Sequence, residues 1–293
     1  MMLSKEVLQK IKLLHIKTNH LANEIFSGEY KSSFRGQGIE FEEVREYQAG
    51  DDIRSIDWNV TARTNKPHIK IFREERQLTM MLLVDASASG EYGTQNRLKK
   101  ETFAEVAALL AFAAIKNNDK VGLMIFTDRV EKFIPPKKGK SHVYHVIKEI
   151  LTFQPTHRQT NLNPPLETLL KVLTRRAICF VISDFQAADY EKALGMAGKR
   201  HDVICTLFYD MSELSLPPLG LVHLRDPETG FEIVVDTTQK KLRQKFLEFS
   251  QAQLKQKEKL FNRVGVDSVL INQNKDFIDP LLKFFRLREK RMY

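Results

Sequence analysis

Five oxygen-bearing side chains stand out as a set that could do chemistry together. An apolar run of strand length, LTMMLLVDAS, ends in Asp85-Ala86-Ser87-Ala88-Ser89, which puts one carboxylate and two hydroxyls at alternating positions of a tight strand-to-helix loop. A later apolar run, AICFVISD, ends in Ser183-Asp184. Between them lies Gln159-Thr160-Asn161-Leu162, just ahead of the Pro164-Pro165 pair that opens a helix. Carboxylates and hydroxyls are hard donors suited to Mg²⁺ or Mn²⁺ rather than to zinc. Two carboxylates balance one divalent ion and leave room for an outside anionic ligand. Taken singly, a Ser or Asp after a strand is more often a helix N-cap; the combination is what gives the set meaning.

Other candidates carry less. Asp51, Asp52 and Asp57 with Glu42, Glu43 and Glu46 form an acidic cluster around Trp58. A two-metal phosphoesterase site would use such residues, but Asp and Arg residues pairing locally on a solvated face, with Asp51 and Arg54 ordering a turn, is the simpler reading. His142 and His145 are three apart on a helix and lack a third ligand nearby, which suits surface histidines. Cys179 and Cys205 each sit in an apolar run with no C-x-x-C partner, as buried reduced thiols do. Gly36-Gln37-Gly38 does not extend to a phosphate-cradling loop, no Walker motif occurs, and no G-x-S-x-G elbow activates a serine. A non-enzymatic protein is expected, with a metal-dependent phosphoesterase-type hydrolase as the alternative.

These loops need a scaffold, and the hydrophobic pattern supplies one. Short apolar runs of strand length alternate with amphipathic stretches from residue 78 onward: strands at LTMMLLVD, KVGLMIFTD, VEKFI, AICFVISD, DVICTLFYD and DSVLIN. Helices are expected from about residue 98, at 141–153, 163–174, 187–199 and 238–262, and from 277, with a hairpin over 220–236. The pattern predicts an α/β fold: a doubly wound, mostly parallel sheet flanked by helices over 76–293. Residues 1–75 read as a small N-terminal α+β elaboration, with a polar helix over 4–26, strands at Ile39-Glu40-Phe41 and His68-Ile69-Lys70-Ile71-Phe72, and turn chemistry at Gln48-Ala49-Gly50-Asp51.

The net charge of the 293-residue chain is +9, but residues 239–293 hold 14 basic and 6 acidic side chains and so carry +8 of it. A nucleic-acid binder coated evenly in Lys and Arg is therefore disfavoured. In the helix over 238–262, Leu242, Phe246, Phe249, Leu260 and Phe261 are expected to bury one face, while Lys240, Lys241, Arg243, Lys245, Lys255, Lys257 and Lys259 coat the other. The basic C-terminus makes a membrane-surface or nucleic-acid binder a further alternative. No apolar run spans a bilayer and the N-terminus lacks a signal-peptide pattern, so the expected location is cytoplasmic, with peripheral attachment to the inner membrane as an option.

Asp85, Ser87, Ser89, Thr160 and Asp184 fall in the order of the metal-ion-dependent adhesion site of von Willebrand factor A (VWA) domains, which this sequence resembles. The segment GQGIEFEEVREYQAGDDIRSIDWNVTARTNKPHIKIFREE, upstream of the first strand, is similar to the signature of the bacterial family called domain of unknown function 58. The resemblance implies that Ser87 and Ser89 ligate Mg²⁺ or Mn²⁺ directly, with Asp85, Thr160 and Asp184 doing so directly or through water. It also implies an adaptor or assembly factor whose protein partner donates an acidic residue to the metal, working with a MoxR-type AAA+ ATPase. Arg158-Gln159-Thr160 departs from the Gly-Gly-Thr of many VWA domains, which bears on loop flexibility and on what is recognised.

Overall fold

A computed structural model describes residues 40–73, 78–93 and 98–291. The helix expected over 4–26 and Gly36-Gln37-Gly38 lie outside the described residues. The described residues fall into two compact units, one within Phe34–Leu78 and one within Thr79–Tyr293.

In the smaller unit, β1 (Glu40–Glu46) pairs antiparallel with β2 (His68–Arg73), and α1 (Trp58–Thr64) lies between them in sequence. Its acidic residues have local structural work. Asp57 caps α1 by accepting the N–H groups of Asn59 and Val60, and Asp52 accepts the Arg54 N–H at 2.9 Å. Asp51 orders the turn with Arg45, not Arg54: the two guanidinium bonds are 2.9 and 2.8 Å long. This paired fork holds the Asp51 carboxyl below the usual range. Among the described residues, no three of these carboxylates come together as a metal-holding group.

The larger unit runs β3 (Thr79–Asp85), α2 (Lys99–Lys116), β4 (Lys120–Phe126), β5 (Val130–Lys137), α3 (Lys140–Thr152), α4 (Asn163–Val172), β6 (Ile178–Ser183), α5 (Glu191–Arg200), β7 (Asp202–Tyr209), the one-turn α6 (Met211–Leu214), β8 (Leu221–Arg225), β9 (Glu232–Asp236), α7 (Lys240–Arg263), β10 (Asp267–Asn272) and α8 (Ile278–Arg291). Six strands form one sheet in the order β10-β7-β6-β3-β4-β5. All neighbours are parallel except β5, which closes one edge antiparallel to β4. The strands are apolar throughout because both faces are covered. Met81, Leu83, Cys179, Val181, Cys205 and Leu207 pack with Leu166 of α4, Leu194 of α5 and Phe261 of α7. On the other face, Phe103 of α2 stacks on Phe208 with centroids 4.6 Å apart, and Phe285 of α8 meets Phe180 at 6.5 Å.

Three details differ from expectation. Helix α2 is buried on nearly all sides from Phe103 to Ala114 rather than on one face, since α3 covers it as well as the sheet; Phe112 and Tyr144 meet edge-on at 5.8 Å. Helix α5 begins at Glu191, not near 187, because Phe185 and Asp189 take left-handed backbone angles that no helix continues through. In α7, Phe249 is 63% exposed instead of buried, while Lys257 turns inward.

Candidate metal and ligand site at the ends of the strands

Neighbouring strands β3 and β6 lead in opposite directions across the sheet, β3 to β4 and β6 to β7, so a crevice opens where their carboxyl ends part. Asp85 closes β3, and Asp184 follows the last residue of β6. Asp85 Oδ1 accepts the Ser87 N–H at 2.9 Å, and its Oδ2 accepts the Ser183 hydroxyl at 2.5 Å. Ser183 Oγ in turn accepts the Phe185 N–H at 2.9 Å. A bulky residue at φ 54° is costly, and here it is held by burial of the Phe185 ring against Phe261 and Tyr190. The hydroxyls of Ser87 and Ser89 lie 3.0 Å apart. Asp85, Ser87, Ser89 and Asp184 are all buried.

The third loop is brought in by hydrogen bonds. Glu131 accepts the N–H groups of Thr156 and His157 at 2.8 and 3.0 Å, and Arg158 O accepts the Ala88 N–H at 2.8 Å. Thr160 then faces a carboxylate that the sequence did not flag. Its N–H and Oγ1 donate to Glu228 Oε2 and Oε1 at 3.0 and 2.6 Å. Glu228 belongs to the turn between β8 and β9, and Arg158 also reaches that turn, donating to Pro227 O at 3.2 Å. The departure from Gly-Gly-Thr thus supplies a guanidinium that holds the hairpin.

Two lysines complete the site. Lys99 Nζ, fully buried, donates to Asp184 Oδ2 at 2.7 Å and to Glu213 Oε1 at 2.5 Å. Glu213 is aimed by its place in α6, where its other oxygen accepts the Asp210 N–H at 3.1 Å. Lys257 Nζ donates to the Asp184 carbonyl at 2.9 Å. Burial pushes the Asp184 carboxyl up, but Lys99, helped by Lys257 and the Gln186 N–H, holds the group below the usual range. Asp85 has no such cation: burial, and then the charge of Asp184, push it to about 7. Burial, and more weakly Asp184, also push Glu228 up. Four carboxylates (Asp85, Asp184, Glu213, Glu228) against two ammonium groups (Lys99, Lys257) leave a formal −2.

That deficit and the donor chemistry fit a divalent cation. Among the described residues, no three His, Cys, Asp or Glu side chains form a metal-binding group by themselves. A cation beside Asp85 therefore depends on hydroxyl donors, which Ser87 and Ser89 offer. Thr160 and Asp184 already have partners in Glu228 and Lys99. The Ser87 hydroxyl pairs with that of Ser89 and also hydrogen-bonds to the Asp85 carboxylate.

The other sequence candidates stay apart. His142 Nε2 bonds to Val121 O at 2.8 Å, whereas His145 approaches Glu149 at 3.8 Å. Both cysteines are buried and free, and burial raises their thiols well above the usual value. Sequence reading missed Lys99, Glu213, Lys257 and Glu228. For two of them a signal exists: Lys99 lies on the stripe Phe103, Val106, Leu110, and Lys257 is one turn before Phe261, so each lysine stands where an apolar residue belongs. Among the described residues, no helix is long and apolar enough to cross a membrane.

The chain is 26% identical over 285 residues to the uncharacterized protein Rv1480 of Mycobacterium tuberculosis, covering 96% of this chain and 89% of the mycobacterial one. Among solved structures, it is similar to the conserved hypothetical protein BatB from Bacteroides thetaiotaomicron, with 15% identity, TM-score 0.47, and coverage of 73% of this chain and 99% of that one. It is also similar to the SpRpn10 VWA domain, with 13% identity, TM-score 0.34, and coverage of 45% and 76%. The model of one family, described as protein of unknown function DUF58, matches residues 43–258, and the chain belongs to that family.

Proposed function

We propose that this chain is a non-enzymatic protein-binding module that takes Mg²⁺ or Mn²⁺ at Asp85, Ser87 and Ser89, with Thr160 and Asp184 as further donors, and binds an acidic side chain of a partner protein. The observation that carries this reading is the buried Asp85 carboxyl, which has no lysine or arginine partner among the described residues, beside two adjacent buried hydroxyls. A bound divalent cation supplies a Lewis-acid contact for an outside carboxylate. The protein's own residues do the rest: Ser183 and the Ser87 N–H orient Asp85, and Lys99 neutralises Asp184 so that the site does not repel an incoming anion. Cooperation with a MoxR-type AAA+ ATPase, in the cytoplasm, belongs to the same proposal.

Calorimetric titration of Mn²⁺ into the wild type and into Asp85→Ala/Ser87→Ala tests the site. The expected result is one ion per chain, with affinity at least about tenfold weaker in the variant; equal binding by both sinks the assignment. A pull-down with and without EDTA, probing for the ATPase, tests the partnership. A separate reading for α7 rests on exposed Phe249 with exposed Lys245 and Lys241 one and two turns before it, a pattern suited to an anionic lipid surface. Sedimentation with vesicles containing phosphatidylglycerol, reduced by Phe249→Ala and by salt, supports it; no binding at low salt removes it.

A further inference from the structure

The β8–β9 hairpin is oddly attached for a structured ribbon. Among the described residues, its strands pair only with each other and leave both outer edges unpaired, and Leu221, Phe231 and Val234 are 76%, 68% and 65% exposed. A two-stranded ribbon is marginal by itself. Away from its base, its hydrogen bonds to the rest of the unit among the described residues are those of its tip: Glu228 with Thr160, and Pro227 O with Arg158. The tip is also stiff. Asp226 accepts the Thr229 hydroxyl at 2.6 Å and the Glu228 N–H at 2.9 Å, and Gly230 closes the turn with φ 73°. A rigid turn thus offers one half-buried carboxylate to a residue of the candidate metal site.

We propose that the hairpin tip is a tethered ligand: Glu228 occupies the place that a partner's carboxylate takes, the site is self-occupied at rest, and a partner binds by displacing the hairpin. This inference rests on the reading of the site as a carboxylate receptor. The contact is built to yield. Glu228 is held by two hydrogen bonds from Thr160 at the tip of a ribbon that is otherwise anchored only at its base and through Arg158. Tethering sets the threshold a partner must beat, because an intramolecular carboxylate competes at an effective concentration in the millimolar range. A free small carboxylate is then a poor ligand. A protein partner succeeds by presenting an acidic turn of similar shape together with added surface, for which the freed ribbon edges are one docking place.

The test uses the full chain and glutarate as the probe. Hydrogen exchange is followed by mass spectrometry in the wild type, Glu228→Gln and Arg158→Ala. Amides of residues 221–236 are expected to exchange about tenfold faster or more in both variants, with those of β3 and β6 unchanged. With Mn²⁺ present, water-proton relaxation reports glutarate reaching the ion, and Glu228→Gln is expected to need about tenfold less glutarate than the wild type. Unchanged hairpin exchange in both variants, or equal glutarate midpoints, overturns the proposal. If the hairpin loosens in Glu228→Gln and glutarate loosens it in the wild type although no Mn²⁺ binds, the tethered ligand stands and the metal reading falls.

Discussion

Lys99→Met is the most informative single change, because it removes an ammonium group that is fully buried between two carboxylates. Methionine keeps the length and apolar bulk of the side chain, so the loss is mainly one of charge. Breaking a buried pair by deleting one partner costs about 3–5 kcal/mol, chiefly as the penalty of the stranded charge. The stranded charge here is Asp184, which is buried, while Glu213 is 27% exposed and can turn to water. Lys257 remains nearby, so the lower end, about 3 kcal/mol, is expected. For a unit of this size each kcal/mol moves Tm by about 2–4 °C, which gives a fall of about 6–12 °C in EDTA. The same substitution makes the site more negative by one charge, so a divalent cation should bind the variant more tightly than the wild type. An ion present at a hundredfold over its Kd returns about 2.7 kcal/mol, and Mn²⁺ should therefore recover most of the lost Tm. Melts followed by circular dichroism, with EDTA or with Mn²⁺, read both effects. A Tm in EDTA within about 2 °C of the wild type would refute the claim that Lys99 neutralises the site, and failure of Mn²⁺ to narrow the gap would refute the charge argument.

Three further outcomes are expected. His201 is buried, with neither ring nitrogen hydrogen-bonded among the described residues, and burial followed by Arg200 and Arg176 lowers its pKa below 6.5. The unfolded chain therefore takes up this proton first, so stability is lost as pH falls from above 6.5 through the lowered native value; His201→Leu should flatten the fall in Tm between neutral and acid pH. Gly122→Ala would place a Cβ 2.8 Å from Met81 Cε and 3.1 Å from Ile134 O, and should cost about 1–3 kcal/mol in urea unfolding at unchanged m-value. Arg288 bridges Asp202 of β7 and Asp267 of β10; Arg288→Met should cost about 3 kcal/mol and be partly rescued by adding Asp267→Asn, as a double-mutant cycle reports.

The sheet was legible because its strands are buried on both faces and so read as continuous apolar runs bounded by turn residues. The loops bearing Asp85 and Asp184 were legible because they close such runs. Lys99 and Lys257 escaped because a lysine in a helix counts as solvent-facing unless its position on the apolar stripe is weighed above its type. Glu228 escaped for a different reason: Asp226-Pro227-Glu228-Thr229-Gly230 is an ordinary turn sequence, and only the return of the hairpin toward residue 160 gives its carboxylate a task. Phe249 failed in the other direction. Periodicity assigned it to the buried face of α7, but it stays 63% exposed at the rim of a pocket that it lines with Leu214 and Gln253.

The parallel run of β3, β4, β6, β7 and β10 gives the sheet two unlike ends. The loops after β3 and β6 and the elements after β7 reach the candidate site from the carboxyl end of the parallel strands, joined there by the loop between α3 and α4, whereas the turns at Asn117–Asn118, Arg175–Arg176 and Gly265 enter strands at the opposite end. That end is a natural handle. A fluorophore, a surface tether or a fused domain introduced at Arg175–Arg176 leaves the ligand-facing loops untouched and points them at solution, which makes the polarity of the sheet a practical guide to how the protein is captured, labelled and presented to its partners.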